Sequence, residues 1–256
     1  MKKNVEEFTI VSNAALNKTS FHICLQSYKE LPDIAPGQFT NVEISNNRDI
    51  FLRRPFSFFD VDYEKKTVSL LVKILGRGSK SLTELKVGSK LNLVYPLGRG
   101  FTLPEKNDKV LAIGGGSGVA PILQLAKTAD LSLGQIHIVI GARSAEDHIS
   151  VADYKRFAQF YFTTEDGSLG EKGFVTEHSI FRDLTQYNRI YACGPLPMMK
   201  AIAARAKEAE IFCEVSLENL MACGFGVCLC CIEPTVKGNL CVCTDGPVFN
   251  IKDLKW

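Results

Sequence analysis

The chain has 256 residues, is 46 % hydrophobic and 23 % charged, and sets 30 basic against 28 acidic side chains for a net charge of +2. That profile belongs to a globular protein with a real core; it excludes dominant disorder, and the lack of a long basic run or basic–aromatic stripe argues against nucleic acid as a partner. MKKNVEEFTI has no apolar signal core and no stretch approaches 18 uninterrupted apolar residues, so a cytoplasmic chain without a membrane span is expected.

Along the first zone, 1–101, short β-type runs follow one another: FTIVSNAAL, FHICLQS, QFTNVEIS, FSFFDVD, TVSLLVKIL and KLNLVYPLG. Turn residues separate them, including Pro36-Gly37, Asn46-Asn47 and Gly88. Short strands at this spacing without a long helix predict a small antiparallel barrel or sandwich. In the second zone, 102–213, the rhythm changes. VLAI (110–113) runs into GGGSGVAP (114–121), where Pro121 suits a first helical turn. IHIVI (136–140), a polar helix near 146–158, FYFTT (160–164), a helix-like GFVTEHSIF, RIYACGP and the helix-forming PMMKAIAARAKEAE follow. Alternating strand and helix signals predict a parallel α/β sheet. The third zone, 214–256, is too short to build a large core, so a metal staple is expected there.

Six of the nine cysteines fall in CGFGVCLCC and CVCTDGP of that last zone. Cys223, Cys228, Cys231 and Cys243 follow C-x4-C-x2-C-x11-C, and the first three match the plant-type spacing for a 2Fe-2S cluster. Gly224 and Gly226 permit the backbone angles of a loop wrapped around a cluster and let N–H groups approach the sulfurs. Structural zinc remains open, although Cys241 and Cys243 would make a cramped second ligand pair. Free or redox-active thiols remain open too. Cys230 and Cys241 read as buried free thiols, and Cys24 and Cys213 as core.

GGGSGVAP, between a strand and a helix, fits a pyrophosphate turn or a purely structural one. ACGP (192–195) repeats the arrangement; Cys193 there reads equally well as a small packing residue. RRPFS (53–57) taken alone reads as a surface loop, in which an arginine could meet a phosphate and a serine a flavin.

Together, R-P-x-S in a barrel, GGGSGVAP and CGP in an α/β unit, and the terminal cysteine motif resemble the ferredoxin-NADP⁺ reductase superfamily. Within it, the layout is similar to the electron-transfer subunits of type B dihydroorotate dehydrogenase, as are EDGSLGEKGFVT, YACGPLPMM, MACGFGVCLCC and CTDGPVF. The resemblance implies an FAD-binding barrel (1–101), an NAD-binding domain (102–213) and a 2Fe-2S domain (214–256). It implies FAD contacts from Arg54, Pro55, Phe56 and Ser57, from Leu71, Val72 and Lys73, and from Gly78 and Ser79, with Arg54 rather than Arg53 on the diphosphate. Gly114, Gly115, Gly116, Ser117 and Gly118 would face NAD, Cys193 and Gly194 would lie near its nicotinamide, and Cys223, Cys228, Cys231 and Cys243 would hold the cluster. The partner implied is an FMN-containing catalytic subunit in a heterotetramer of two of each, with electrons running from dihydroorotate through FMN, the cluster and FAD to NAD⁺. No side chain here is expected to act as acid or base on dihydroorotate. Two alternatives stay open. One is a related subunit of a sulfide dehydrogenase or an NADPH-ferredoxin oxidoreductase. The other is a zinc-stapled nucleotide-binding module. Arg143 could meet a 2′-phosphate or simply start a helix, so NAD is kept from the resemblance alone.

Overall fold

In the computed structural model, which describes residues 3–44 and 49–256, the six β-type runs of the first zone form β1 (Asn4–Ala15), β2 (Ser20–Gln26), β3 (Phe39–Val42), β4 (Arg54–Asp62), β5 (Thr67–Lys73) and β6 (Lys90–Leu97). They close into an antiparallel barrel in the order β1-β2-β5-β4-β3-β6. Closure follows from period-2 alternation: Phe8 and Ile10, Ile23 and Leu25, and Leu91 and Leu93 all bury their side chains in one interior. A bulge between Phe58 and Asp60 lets neighbouring aromatics serve two cores. Phe58 fills the barrel, whereas Phe59 packs outward with Leu71 and Phe101 against the second zone. Turns form at Pro36-Gly37 and at Gly88; the expected Asn46-Asn47 turn lies outside the described residues.

A seven-residue helix, α1 (Arg77–Thr83), follows β5. Its RGSKSLT sequence carries no helix signal. The Ser79 hydroxyl instead makes the turn, accepting from the Leu75 and Gly76 amides at 2.8 and 3.2 Å.

The second zone contributes β7 (Val110–Gly115), α2 (Val119–Thr128), β8 (Ile136–Ala142), β9 (Gln159–Thr164), β10 (Glu171–Lys172), β11 (Arg189–Cys193), α3 (Leu196–Glu208) and β12 (Phe212–Ser216). After β12, β13 (Ile232–Thr235) and β14 (Gly238–Cys241) form a hairpin, and β15 (Val248–Asn250) returns to the sheet. The sheet order is β10-β9-β8-β7-β11-β12-β15, parallel except for β15. The chain runs from β7 towards β9 on one side and from β11 towards β12 on the other. The reversal lies between β7 and β11, where open α/β sheets bind ligands.

Two expected helices are absent. Residues 146–158 hold only the short 3-10 turns Ala145–Asp147 and Ala152–Tyr154. Ile149 and Val151 are both buried, two residues apart, which is an extended rather than a helical pattern. GFVTEHSIF also breaks into two 3-10 turns, because Glu177 accepts from the Phe174 amide (2.7 Å) and His178 Nδ1 from the Ile180 amide (3.0 Å).

The barrel and sheet meet along an apolar seam. Burying Phe59, Leu71 or Phe101 contributes about 1.5–3 kcal/mol each. The half-exposed Lys127–Asp60 ion pair at 2.5 Å contributes about 1 kcal/mol or less, so apolar packing fixes the domain orientation. The cysteine segment builds no core of its own. Leu217, Cys231, Val242, Cys243, Phe249 and Ile251 pack in one cluster with Phe39 and Leu97 of the barrel and with Leu111 and Ile190 of the sheet. β12 itself crosses residue 213, and the segment leaves the sheet after Ser216.

Candidate redox-cofactor site

The cysteine loop sets its thiols in two hydrogen-bonded pairs, Cys223 with Cys228 and Cys231 with Cys243. The Cys228 amide donates to Cys223 Sγ at 3.5 Å, and the Cys243 amide donates to Cys231 Sγ at 3.4 Å. Further amides point at the same sulfurs: Phe225 N–H lies 3.4 Å from Cys223 Sγ, and Gly226 N–H lies 3.1 Å from Cys243 Sγ. Burial pushes the Cys223 thiol up, but the Cys228 and Phe225 amides outweigh it and leave the thiol lowered to about 6. Burial, aided by the neighbouring Cys231 thiol, pushes Cys243 up to about 12. Among the described residues no three His, Cys, Asp or Glu side chains converge on a position for a single metal ion. Two pairs of sulfurs ringed by N–H donors fit a two-iron anionic cluster, each iron taking two protein thiolates. The reading of Cys230 and Cys241 as buried thiols is corrected: Cys230, in the loop before β13, is exposed, and Cys241 is half-buried because, among the described residues, β14 pairs only with β13 and leaves the hairpin open to solvent. Cys213 is core as expected, whereas Cys24 is only half-buried.

On the barrel side, β4 carries Arg54, Pro55, Phe56 and Ser57 beside β3, with Ser57 opposite Phe39. The Arg54 guanidinium donates to the Leu52 and Arg53 carbonyls at 2.7 and 3.2 Å. It also covers Gly78, whose added Cβ would meet Arg54 Nε at 3.1 Å. The structure therefore brings the RPFS and GRGS strings together. Arg53 is committed elsewhere, to Glu43 at 2.8 Å and to Asn92 Oδ1 at 2.7 Å. Leu71 and Val72 are buried in the seam and the barrel interior, so any flavin contact there is through their backbone. The Ser79 hydroxyl is spent on its own turn.

At the reversal of the sheet, the two glycine turns lock together. A Cβ on Gly115 would meet Met198 Sδ at 2.7 Å, one on Gly194 would meet the Gly115 Cα at 3.0 Å, and one on Gly114 would meet the Val119 Cα at 2.9 Å. Gly114, Gly115, Gly118, Cys193 and Gly194 are buried, while Gly116 is exposed and Ser117 half-buried. Packing thus accounts for three of the five residues, and Gly116 and Ser117 face the cleft ahead of α2, whose first amides and dipole favour an anion. Burial holds the Cys193 thiol well above its ordinary range, helped by the charge of Glu218 and opposed by the Ser216 hydroxyl, so it stays protonated.

Glu218 was not visible in the sequence, where it lies among linker-like residues before Cys223. It is open to solvent on one side and hemmed in by protein on the others. That crowding raises its carboxyl pKa, opposed by a hydrogen bond from Ser117 and by the charge of Lys73. Lys73 Nζ itself stands 3.8 Å from where a Cβ on Gly116 would sit. Lys73 from the barrel, Ser117 from the glycine turn and Glu218 from the approach to the cysteine loop therefore meet, with the buried Cys193 behind them.

Two family models match the chain: the iron-sulfur cluster binding domain of dihydroorotate dehydrogenase B over residues 218–255 and the oxidoreductase NAD-binding domain over residues 112–204. The protein of Shouchella clausii named dihydroorotate dehydrogenase B (NAD(+)), electron transfer subunit, is 34 % identical, with 99 % of both chains covered. Its namesake in Desulforamulus reducens is 37 % identical over 89 % of this chain and 90 % of the relative. Among solved structures, the NADH-dependent reduced ferredoxin-NADP oxidoreductase superposes with a TM-score of 0.84 and 28 % identity, covering 97 % of this chain and 90 % of that one. A ferredoxin reductase in carbazole 1,9a-dioxygenase gives 0.70 at 22 % identity, covering 82 % and 67 %, a likeness of fold alone.

Proposed function

Because this chain belongs to the family of electron-transfer subunits of dihydroorotate dehydrogenase B (NAD(+)), we propose that it carries electrons from a dihydroorotate-oxidising catalytic subunit to NAD⁺ in pyrimidine biosynthesis. When bound, FAD supplies the exchange between an electron pair and single electrons, and the 2Fe-2S cluster supplies single-electron transfer. The protein's own groups bind and orient. Cys223, Cys228, Cys231 and Cys243 hold the irons. Arg54, with the backbone around Gly78, neutralises the FAD diphosphate, and Pro55, Phe56, Ser57 and the Leu71–Lys73 backbone line the flavin. Gly116, Ser117 and the start of α2 take the NAD pyrophosphate, with Cys193 and Gly194 beside the nicotinamide.

One observation carries the reading: two amide-ringed cysteine pairs sit on a loop packed between the barrel and the sheet, with an apolar outer rim. Leu220, Val227 and Leu229 on that rim are 86 %, 73 % and 60 % exposed. Exposed apolar surface around a redox centre suits docking of the catalytic subunit. We extend the reading to an FMN-containing partner, to two copies of each subunit and to the cytoplasm. The test is co-expression with the catalytic subunit. Dihydroorotate should then reduce NAD⁺ in a complex with the mass of two of each chain, and a complex with full cofactors but no such activity would sink the proposal.

Arg54→Ala removes a charge-assisted contact of about 1.5–3 kcal/mol. The expected result is an FAD Kd weakened roughly 10- to 150-fold in a fluorescence titration, with the circular dichroism spectrum unchanged. An unaltered Kd takes Arg54 out of the site.

Glu218→Gln keeps the shape and the Ser117 contact but removes an acid. Because the carboxyl pKa is raised, the protonated form persists to higher pH than for an ordinary glutamate. NADH oxidation with an artificial acceptor should fall about tenfold with FAD content unchanged, a modest acid–base contribution. The limb of the pH–rate profile on which wild type loses activity as this proton leaves should flatten in the variant. A parallel profile would exclude Glu218.

A further inference from the structure

A buried polar side chain of the barrel, outside the cofactor motifs, hydrogen-bonds the cysteine loop. Asn41, in β3, is 1 % exposed, and its carboxamide nitrogen donates to the Cys223 carbonyl oxygen at 3.0 Å. The same nitrogen stands 2.7 Å from where a Cβ on Gly224 would lie, and Gly224 has φ +80°. Among the described residues Asn41 Oδ1 has no hydrogen-bond partner. A buried oxygen left unpaired destabilises the fold, and valine or leucine at this position would avoid that loss. Turning the carboxamide over would set its oxygen against the Cys223 carbonyl, so the contact itself fixes the orientation. Through β3, Asn41 also pairs with Pro55 of the RPFS string, so the contact ties the first cluster cysteine to the strand beside the flavin motif.

We propose that Asn41 is a positioning residue that sets the reduction potential of the iron–sulfur cluster by fixing the Cys223–Gly224 peptide. The inference rests on the cluster reading above. With the Cys223 carbonyl held, the chain turns through Gly224 and brings the Phe225 N–H to 3.4 Å from Cys223 Sγ. Hydrogen bonds to a ligating sulfur favour the more negative, reduced cluster and raise its potential. Without the carboxamide, the Gly224 turn gains room, the peptide rotates, and this N–H leaves the sulfur. The potential then falls, which weakens the cluster as an acceptor of electrons from the partner.

The experiment is a potentiometric titration, followed by electron paramagnetic resonance, of the full chain reconstituted anaerobically with FAD, iron and sulfide. Wild type is compared with Asn41→Ala and Asn41→Ser. Both substituents are smaller than asparagine, so neither crowds the loop, and serine keeps a hydroxyl donor. In N41A, iron and FAD contents should be unchanged while the ratio of reduced to oxidised cluster at a fixed potential falls about tenfold, a shift of 59 mV for one electron. N41S should lie between N41A and wild type. The proposal is overturned if N41A titrates with wild type, if N41A and N41S shift equally, or if both lose the cluster while keeping FAD. Wild type that shows no signal on reduction removes the cluster reading itself, before any variant is measured.

Discussion

Cys228→Ser should abolish electron transfer from the catalytic subunit, by more than about 100-fold, while NADH oxidation by an artificial two-electron acceptor stays within about twofold of wild type. The expectation rests on where Cys228 lies. Cys231 and Cys243 are 2 % and 1 % exposed and belong to the core shared by barrel, sheet and loop, so replacing either disturbs packing as well as ligation. Cys228 is exposed, and its backbone amide, which a serine keeps, already makes the 3.5 Å contact to Cys223 Sγ. The substitution therefore removes one sulfur and little else. The surface at Lys73 and Ser117 belongs to the barrel and to the turn after β7, and it should keep FAD and NADH. Iron analysis, flavin content and the two activities measured side by side check this. Equal loss of both activities would mean that the metal holds the fold together rather than carrying electrons.

The elements that sequence reading found are those in which periodicity and burial agree. In the barrel, period-2 burial marks β1, β2 and the start of β6, whereas β3 and β5 are buried on both faces and read as short apolar runs. VLAI, IHIVI and RIYAC are continuous apolar runs because a parallel sheet covered on both faces needs them. Reading fails where side chains replace backbone partners. Ser79 makes a helical turn in a string too short and too rich in glycine and serine to show a helical period, and Glu177 and His178 break the helix that GFVTEHSIF suggests into short turns.

The site divides along the same line. Cysteine spacing and glycine turns are local, and they led to the proposed ligand set and to the sheet edge. Glu218 and Asn41 act through partners far away in the chain: Ser117 and Lys73 for the first, Cys223 for the second. Nothing near Asn41 in QFTNVEIS distinguishes it from any polar strand residue. Cys230 and Cys241 failed for a related reason. Thiols in an apolar context are normally buried, but here the loop turns its apolar residues and Cys230 outward.

Gly118→Ala should strongly damage NADH turnover although it adds a single methyl group. A Cβ at 118 would lie 2.2 Å from the Cys193 carbonyl oxygen and 2.6 Å from the Gly194 nitrogen. Those are backbone atoms of β11 and its turn, and no rotamer change relieves them. Either the start of α2 or the ACGP turn must move. Both outcomes separate the two glycine turns and shift Ser117 away from Glu218. Overpacking of this kind costs about 1–3 kcal/mol, which for a protein of this size lowers Tm by roughly 2–12 °C. The functional loss should exceed the stability loss, because misplacing a reacting group by about 1 Å costs on the order of 100-fold in rate. NADH oxidation should therefore collapse at temperatures where the variant is still folded. The cluster should keep its reduced-state spectrum when dithionite replaces NADH, since Gly118 lies in the turn between β7 and α2 and not in the cysteine loop. Thermal unfolding, steady-state kinetics with NADH and a dithionite-reduced spectrum separate these effects. A G118A protein with wild-type Tm and wild-type NADH kinetics would show that the two turns are not held in contact as described.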